Sequence, residues 1–258
     1  MGTAAVDKPK PNVRMTPRDA AALEWLSQMY GAPLDVVAAL TQTTQKRAYA
    51  LVARWKAAGW VDTGRINAGP MWVWPKRKTA TAYLGWDPDY WVPRGSTAEH
   101  FRATAVARLA LTGADTSAWW SERQLRHEQT RDRKTAGSTD PYLADGRFLR
   151  AEDGRWYSIE VELNSKGTTR TRHVVAQAAA ALGSTAGAGV LYACASEAVA
   201  SVVRKAVADN AAKFGGPKGE DITRAFNVRL LSDLVKGVRT ADGQSVPATT
   251  GLIMPDEK

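Results

Sequence analysis

Residues 157–163, Tyr157-Ser158-Ile159-Glu160-Val161-Glu162-Leu163, alternate between apolar and polar side chains. A repeat of two residues is typical of a β-strand with one face against a core and one face open. The odd-numbered positions are apolar and would fill that core. Glu160 and Glu162 would then lie side by side on the other face, where the simpler alternative is a solvent-exposed acidic surface paired with nearby arginines.

A second strand-like run at residues 142–149 precedes this stretch and carries Asp145. The turn-like residues 151–154 separate the two runs, which predicts a β-hairpin. The hairpin would gather Asp145, Glu160 and Glu162 at one end of a sheet. Carboxylate oxygens are the ligands that Mg²⁺ and Mn²⁺ prefer, so the sequence predicts a divalent metal site there. For Asp145, which precedes Gly146, turn chemistry is the open alternative.

The composition favours a polyanionic partner. The chain has 258 residues, 44% of them hydrophobic, and a net charge of +9. Residues 1–94 hold 13 Lys and Arg against 7 Asp and Glu, so the basic excess is concentrated in the N-terminal third. This pattern favours nucleic acid over a membrane as partner. The single cysteine, Cys194, excludes an intrachain disulfide, and the lack of a long apolar run predicts a cytoplasmic protein.

The N-terminal part follows the pattern of a winged-helix DNA-binding domain at residues 16–94, after a flexible basic tail at residues 1–15. Thr16 and Pro17 begin a helix, two further helices follow, and a β-hairpin closes the unit. The third helix of such a domain usually reads the major groove of double-stranded DNA. The predicted DNA-binding residues are Thr44, Gln45, Lys46, Arg47, Arg54, Lys56 and Arg65. A protein-interaction module with a solvated basic face is the alternative.

Residues 95–235 form the second predicted unit, with element order α-β-β-β-α-β followed by one more helix and strand, and residues 236–258 form a C-terminal tail. Lys166 would lie near the metal and stabilise a charged transition state or help to deprotonate water. Glu122 is a fourth candidate carboxylate, with a salt bridge to Arg123 or Arg126 as its alternative. His173 and Gln177 share a helix face that would either pack or meet the site.

The hairpin within this element order resembles the PD-(D/E)xK restriction-endonuclease-like superfamily. The winged helix, His100 on a helix, and the segments at residues 120–126, 144–148 and 159–166 are together similar to the replication-relaxation family of actinobacterial plasmids, integrative elements and phages. The resemblance covers roughly residues 16–235 and implies a mixed sheet and a relaxase or nicking activity. Two positions depart from the pattern: Ala144 stands where proline is usual, and Glu162 stands where lysine is usual.

The sequence thus predicts an α/β protein, a winged helix followed by a restriction-endonuclease-like core. Its leading function is DNA nicking in replication or transfer, with Asp145 and Glu160 holding Mg²⁺ or Mn²⁺, Glu162 as third ligand or base, and Lys166 stabilising charge. Replication or conjugation machinery would be a further partner. The alternative function is a non-catalytic DNA-binding accessory or regulator that retains a decayed nuclease fold.

Overall fold

The structure, a computed structural model, describes residues 13–66, 69–136, 142–184 and 187–250. Positions 1–12 of the predicted basic tail and positions 251–258 of the predicted C-terminal tail lie outside these ranges. Within them the chain is a mixed α/β protein with one three-stranded and one five-stranded sheet. None of the helices in these ranges combines the length and apolar character that a bilayer crossing requires.

The N-terminal half holds four helices and the small sheet. Its elements are α1 (Pro17–Gln28), β1 (Ala32–Pro33), α2 (Leu34–Leu40), α3 (Gln45–Ala57), β2 (Val61–Arg65), β3 (Met71–Pro75) and α4 (Arg77–Leu84). The predicted start of the first helix is confirmed, because the Thr16 hydroxyl and the Asp19 carboxylate form a reciprocal capping box. Thr44 caps α3 by accepting from the backbone amide of Arg47 at 3.2 Å.

The C-terminal half holds the large sheet and its helices. Its elements are α5 (Gly95–Thr112), β4 (Trp119–Ser121), α6 (Glu122–Ala136), β5 (Gly146–Arg150), β6 (Arg155–Glu162), α7 (Thr168–Ser184), β7 (Val190–Cys194), α8 (Glu197–Phe214), α9 (Gly216–Ala225), β8 (Phe226–Leu230) and α10 (Leu231–Leu234). The sequence missed α6 because Leu125 is the one large apolar residue in its sequence, so the segment has no apolar period. Ion pairs one turn apart, such as Glu122 with Arg126, support it instead.

The large sheet has the order β4-β5-β6-β7-β8. Strands β4, β5 and β6 are antiparallel, which confirms the predicted hairpin, whereas β7 and β8 run parallel to β6. The predicted bounds of the first strand are wrong, because β5 begins at Gly146 and Asp145 lies just before it. The expectation of a half-open β6 is wrong, because Glu160 and Glu162 are each only 6% exposed. Helices α7 and α8 cover the face that these glutamates share, while α5 lies on the face of Ile159.

One hydrophobic cluster runs through both halves of the chain. It joins Trp25 and Trp55 of the N-terminal helices to Ile159 of β6 and to Val246 of the C-terminal segment. The cluster therefore includes part of the C-terminal tail predicted at residues 236–258.

Buried polar contacts also join the N-terminal helices to α5 and to the C-terminal segment. The guanidinium of Arg102, on α5, pairs with Asp35 at 2.5 and 3.0 Å and donates to the carbonyl of Pro247 at 2.9 and 3.1 Å. Arg102 is 1% exposed. The N-terminal half is thus held against α5, the helix that also faces the carboxylate hairpin.

Candidate functional site

The sheet register brings the predicted carboxylates to one end of the hairpin. Gly146 pairs with Ile159, so Asp145, one residue earlier, lies beside Glu160. Across the next strand, Glu160 pairs with Tyr192 and Glu162 pairs with Cys194. Side chains that pair across neighbouring strands share a face, so Glu160, Glu162 and Tyr192 face the same side.

Asp145 is fixed by groups from a helix and a strand. Its Oδ1 lies 2.9 Å from Nε2 of His100 on α5, and its Oδ2 accepts the backbone N–H of Val161 at 2.7 Å. The following Gly146 is required for packing, because a Cβ atom there would lie 2.5 Å from the Trp119 ring. Gly146 belongs to strand β5, so packing against Trp119 accounts for it and no glycine turn follows Asp145.

Glu160 is the most desolvated acid of the site. Its Oε1 accepts the Tyr142 hydroxyl at 2.7 Å. Burial raises the pKa of Glu160 well above its usual range; Asp145 and Glu162 raise it further, and the opposing effects of Tyr142 and Lys166 are smaller. The neighbouring Tyr192 has a buried hydroxyl that makes no hydrogen bond within the described part of the chain.

Glu162 and Lys166 form an ion pair at 2.8 Å, so the predicted lysine does lie at the site. Burial raises the pKa of Glu162 and Asp145 adds to the effect, whereas Lys166 and His100 oppose it. The side chain of Glu162 is 7% exposed and that of Lys166 is 41% exposed. Lys166 therefore reaches from solvent into a largely buried acidic cluster.

Glu122 makes the salt bridge that was the alternative to a role as a site carboxylate. It forms an ion pair with Arg126, and it also lines a narrow cleft with Tyr30, His100 and Asp145. Tyr30 belongs to the N-terminal half and has a positive φ of 67°, which is uncommon outside glycine. The guanidinium of Arg123 lies 4.6 Å from the centre of its ring.

His100 completes the environment of Asp145. Burial opposes protonation of this histidine, but the contact with Asp145 outweighs it and raises the pKa of His100. The charged pair stabilises the fold at acidic pH, and this contribution is lost as the pH rises through the raised pKa. The other histidine named from the sequence, His173, is exposed on α7.

The predicted DNA-binding residues separate into two groups. Lys46 and Arg47 are exposed beside the Thr44 cap at the start of α3, Gln45 is half-buried next to them, and Arg65 is exposed at the end of β2. The others have protein partners, because the Arg54 guanidinium contacts both oxygens of the buried Asp19 at 2.6 Å and Lys56 donates to Thr63 at 3.0 Å. The Arg54 guanidinium therefore links α3 to α1.

We expect Tyr142→Phe to raise the pKa of Glu160 further, because the lost hydroxyl stabilises the ionised carboxylate. Carbon-13 NMR titration of the glutamate carboxyl carbons would measure the shift. Tyr157→Phe is the matched control, since the Tyr157 hydroxyl donates to Asp153 at the far end of the hairpin. An unchanged or lower pKa in Tyr142→Phe would contradict the assigned role of the hydroxyl.

Two tyrosines of the site, Tyr142 and Tyr192, were not singled out from the sequence. Tyr192 lies in an apolar run, and only the pairing of β6 with β7 places it beside Glu160. Among the described residues, no group of three His, Cys, Asp or Glu side chains is arranged to hold a metal ion. No protein-family model matches this chain, and it has no significant match to a curated protein or to a solved structure.

Proposed function

We propose that this chain is a DNA-binding protein whose large sheet carries a divalent-metal-dependent site for phosphodiester cleavage. The observation that carries the proposal is the desolvated acidic cluster of Asp145, Glu160 and Glu162 in a protein with net charge +9. Such a cluster lowers stability, so it is expected where a cation or substrate later compensates the charge.

The donor set fits Mg²⁺ or Mn²⁺. These ions prefer carboxylate oxygens and need only one or two protein carboxylates, because water and substrate phosphate oxygens complete their coordination. Asp145 and Glu160 would hold the ion, which is compatible with the lack of a three-residue group in the described ranges. When bound, such an ion activates water and stabilises negative charge on phosphate oxygens.

The side chains around these ligands would prepare the reaction. His100 orients Asp145 and Tyr142 orients Glu160 through the hydrogen bonds at these carboxylates. The Lys166 ammonium, held beside Glu162, would stabilise the charge that develops on the phosphate. Glu162 would serve as the base, and Glu122 lines the cleft beside Asp145.

The N-terminal half would present the DNA. Its helices α1, α2 and α3 and its sheet order β1-β3-β2 are what a winged helix requires, which supports that interpretation. The exposed Lys46 and Arg47 at the start of α3 suit phosphate oxygens. Contacts such as that of Arg102 with Asp35 join the N-terminal half to α5. They would keep DNA that is bound to the N-terminal half at a fixed distance from the carboxylates.

Nicking of supercoiled plasmid in Mn²⁺ or Mg²⁺ tests the catalytic proposal. We expect Asp145→Asn to reduce the rate by more than about 100-fold, because it removes charge at the proposed metal. Asp221→Asn is the control, as Asp221 is exposed on α9 and remote in sequence from the hairpin. Equal rates in wild type and Asp145→Asn on cognate DNA would reject catalysis at this site.

The double variant Lys46→Ala/Arg47→Ala should weaken duplex DNA binding and reduce the slope of log affinity against log salt by about 2, since each contact releases about 0.9 counterion. Fluorescence anisotropy across a salt series would measure it. Lys236→Ala removes an exposed lysine outside the N-terminal half and should leave the slope unchanged. An unchanged slope in the double variant would place the DNA contact elsewhere.

A specific observation favours a second function, a non-catalytic DNA-binding accessory. Each of the three carboxylates already has a protein partner, and Glu162, where the family pattern has lysine, is neutralised by Lys166. Isothermal titration with Mn²⁺ separates the two functions. An active site should bind the ion and lose it in Asp145→Asn, whereas an accessory protein would bind DNA without binding Mn²⁺.

A further inference from the structure

A polar cavity lies at the end of the large sheet that is opposite the carboxylates. Its volume is about 520 Å³, and its walls include Arg150 at the end of β5 and residues at the start of β7 and β8. Helix α5 packs against β5 and β6, whereas the four-residue α10 packs against β7 and β8. The cavity is the space left between these two helices over the sheet.

The wall of this cavity is basic. Arg150, Arg224 and Arg229 come from three different elements, and Glu152 is the acid among the lining residues. The Nε of Arg150 is buried without a hydrogen-bond partner in the described part of the chain. Arg229 is exposed on β8, and its guanidinium makes no hydrogen bond or ion pair to any described residue. Arg150 pairs with Asp153, and Arg224 pairs with Glu220 and Asp221. Arg229 is therefore the wall arginine whose whole guanidinium is unpaired among the described residues, and such a group facing a cavity is suited to phosphate oxygens.

The floor of the cavity is apolar and partly aromatic. The rings of Phe148 and Tyr157 stack with centres 5.8 Å apart, and Leu191 lies beside them. Asn227 pairs with Leu191 in the sheet, so its exposed amide faces the same side. A flat apolar floor, an amide and several guanidiniums match the ring, the polar ring edge and the phosphate of a nucleotide.

We propose that this cavity binds a nucleoside 5′-phosphate, either as a free nucleotide or as the 5′-phosphorylated end of a DNA strand. Arg229 receives the phosphate, and the base lies over Phe148 and Leu191. The cavity volume lies in the range of small-molecule sites. This site uses none of the residues of the carboxylate cluster, so it stands independently of the cleavage proposal.

Isothermal titration of the full chain tests the site with five probes. They are a deoxynucleoside 5′-monophosphate, the free deoxynucleoside, inorganic phosphate, and one short oligonucleotide with either a 5′-phosphate or a 5′-hydroxyl. Saturable binding of the monophosphate identifies a nucleotide site, and preference for the 5′-phosphorylated oligonucleotide identifies a strand-end site. In both cases the free nucleoside and inorganic phosphate should bind at least about tenfold more weakly, since each offers half of the contacts.

Arg229→Ala should weaken the preferred probe by at least tenfold, and it should fold, because Arg229 is exposed on an edge strand. Arg204→Ala is the control, since Arg204 is an exposed arginine on α8 that pairs with Glu197 and does not line the cavity. Three results would overturn the proposal: no binding of any probe, equal binding of the two oligonucleotides without binding of the monophosphate, or unchanged affinity in Arg229→Ala.

Discussion

The Glu160→Gln protein is expected to be more stable than the wild type at pH 8 and to have lost divalent-metal binding. Its amide can still accept the Tyr142 hydrogen bond, but it carries no charge into the buried cluster with Asp145 and Glu162. We expect the free energy of unfolding to rise by about 1–3 kcal/mol, a typical gain when a buried charge without compensation is removed. The melting temperature should rise by about 2–4 °C for each kcal/mol.

The gain in stability from Glu160→Gln should increase as the pH rises. Because the pKa of Glu160 is raised in the folded state, folding favours its protonated form and loses stability as the pH rises from the unfolded value through the raised one. Glu160→Gln lacks this loss, so the difference between the two proteins should widen from pH 4 to pH 8. Urea unfolding at several pH values, without added metal, would measure it.

Metal should reverse the ranking of the two proteins. Saturating Mn²⁺ stabilises only a protein that binds it, so the wild type should gain and Glu160→Gln should not. Glu197→Gln, an exposed change on α8, should leave both stability and metal response unchanged. A Glu160→Gln protein that is less stable at pH 8 and still responds to Mn²⁺ would show that Glu160 has a purely structural role.

The sequence correctly predicted the hairpin that bears the carboxylates. Alternation at residues 157–163 predicted strand β6, and the turn at residues 151–154 predicted the hairpin that sets Asp145 beside Glu160. These features are local, because a strand repeats every two residues and a tight hairpin fixes its own register. The same alternation could not reveal that α7 and α8 bury the glutamates, since burial of a polar face depends on helices far along the chain.

The contacts that define the chemistry were not predictable because they join distant residues. The pairing of His100 with Asp145 spans 45 positions, and that of Asp19 with Arg54 spans 35. A basic residue on a helix has the same local pattern whether it faces solvent or a buried acid. Arg54 was therefore predicted as a phosphate contact, although the structure places it against Asp19.

Asp19→Ala is the substitution for which we expect the largest loss of stability. Asp19 is buried and accepts from the Thr16 backbone and hydroxyl at 2.9 and 2.8 Å, from Trp55 Nε1 at 2.9 Å and from Arg54 at 2.6 Å. Alanine would leave the indole N–H buried without an acceptor, unpair Arg54 and remove the Asp19 half of the capping box of α1. The expected loss is about 2–4 kcal/mol, since caps, buried donors and broken buried ion pairs each contribute.

The effect of Asp19 on stability changes with pH in the opposite direction to the effect of Glu160. Burial opposes ionisation of Asp19, but the hydrogen bonds from Thr16 and Trp55 and the charge of Arg54 outweigh it and lower its pKa. The stabilisation is therefore present above the unfolded pKa and is lost as the pH falls through the lowered value. The gap between wild type and Asp19→Ala should narrow below about pH 4.

Asp87→Ala is the matched control, because Asp87 pairs with Arg77 through two hydrogen bonds of 2.5 and 2.7 Å but its side chain is 61% exposed. Surface pairs of this kind contribute little, so its unfolding curve should overlay that of the wild type. If Asp19→Ala and Asp87→Ala unfolded alike, the contacts of Asp19 would not hold α1 against α3. A selective loss in Asp19→Ala would instead establish that the helix bearing Lys46 and Arg47 is positioned by the contacts of the buried Asp19 with Arg54 and Trp55.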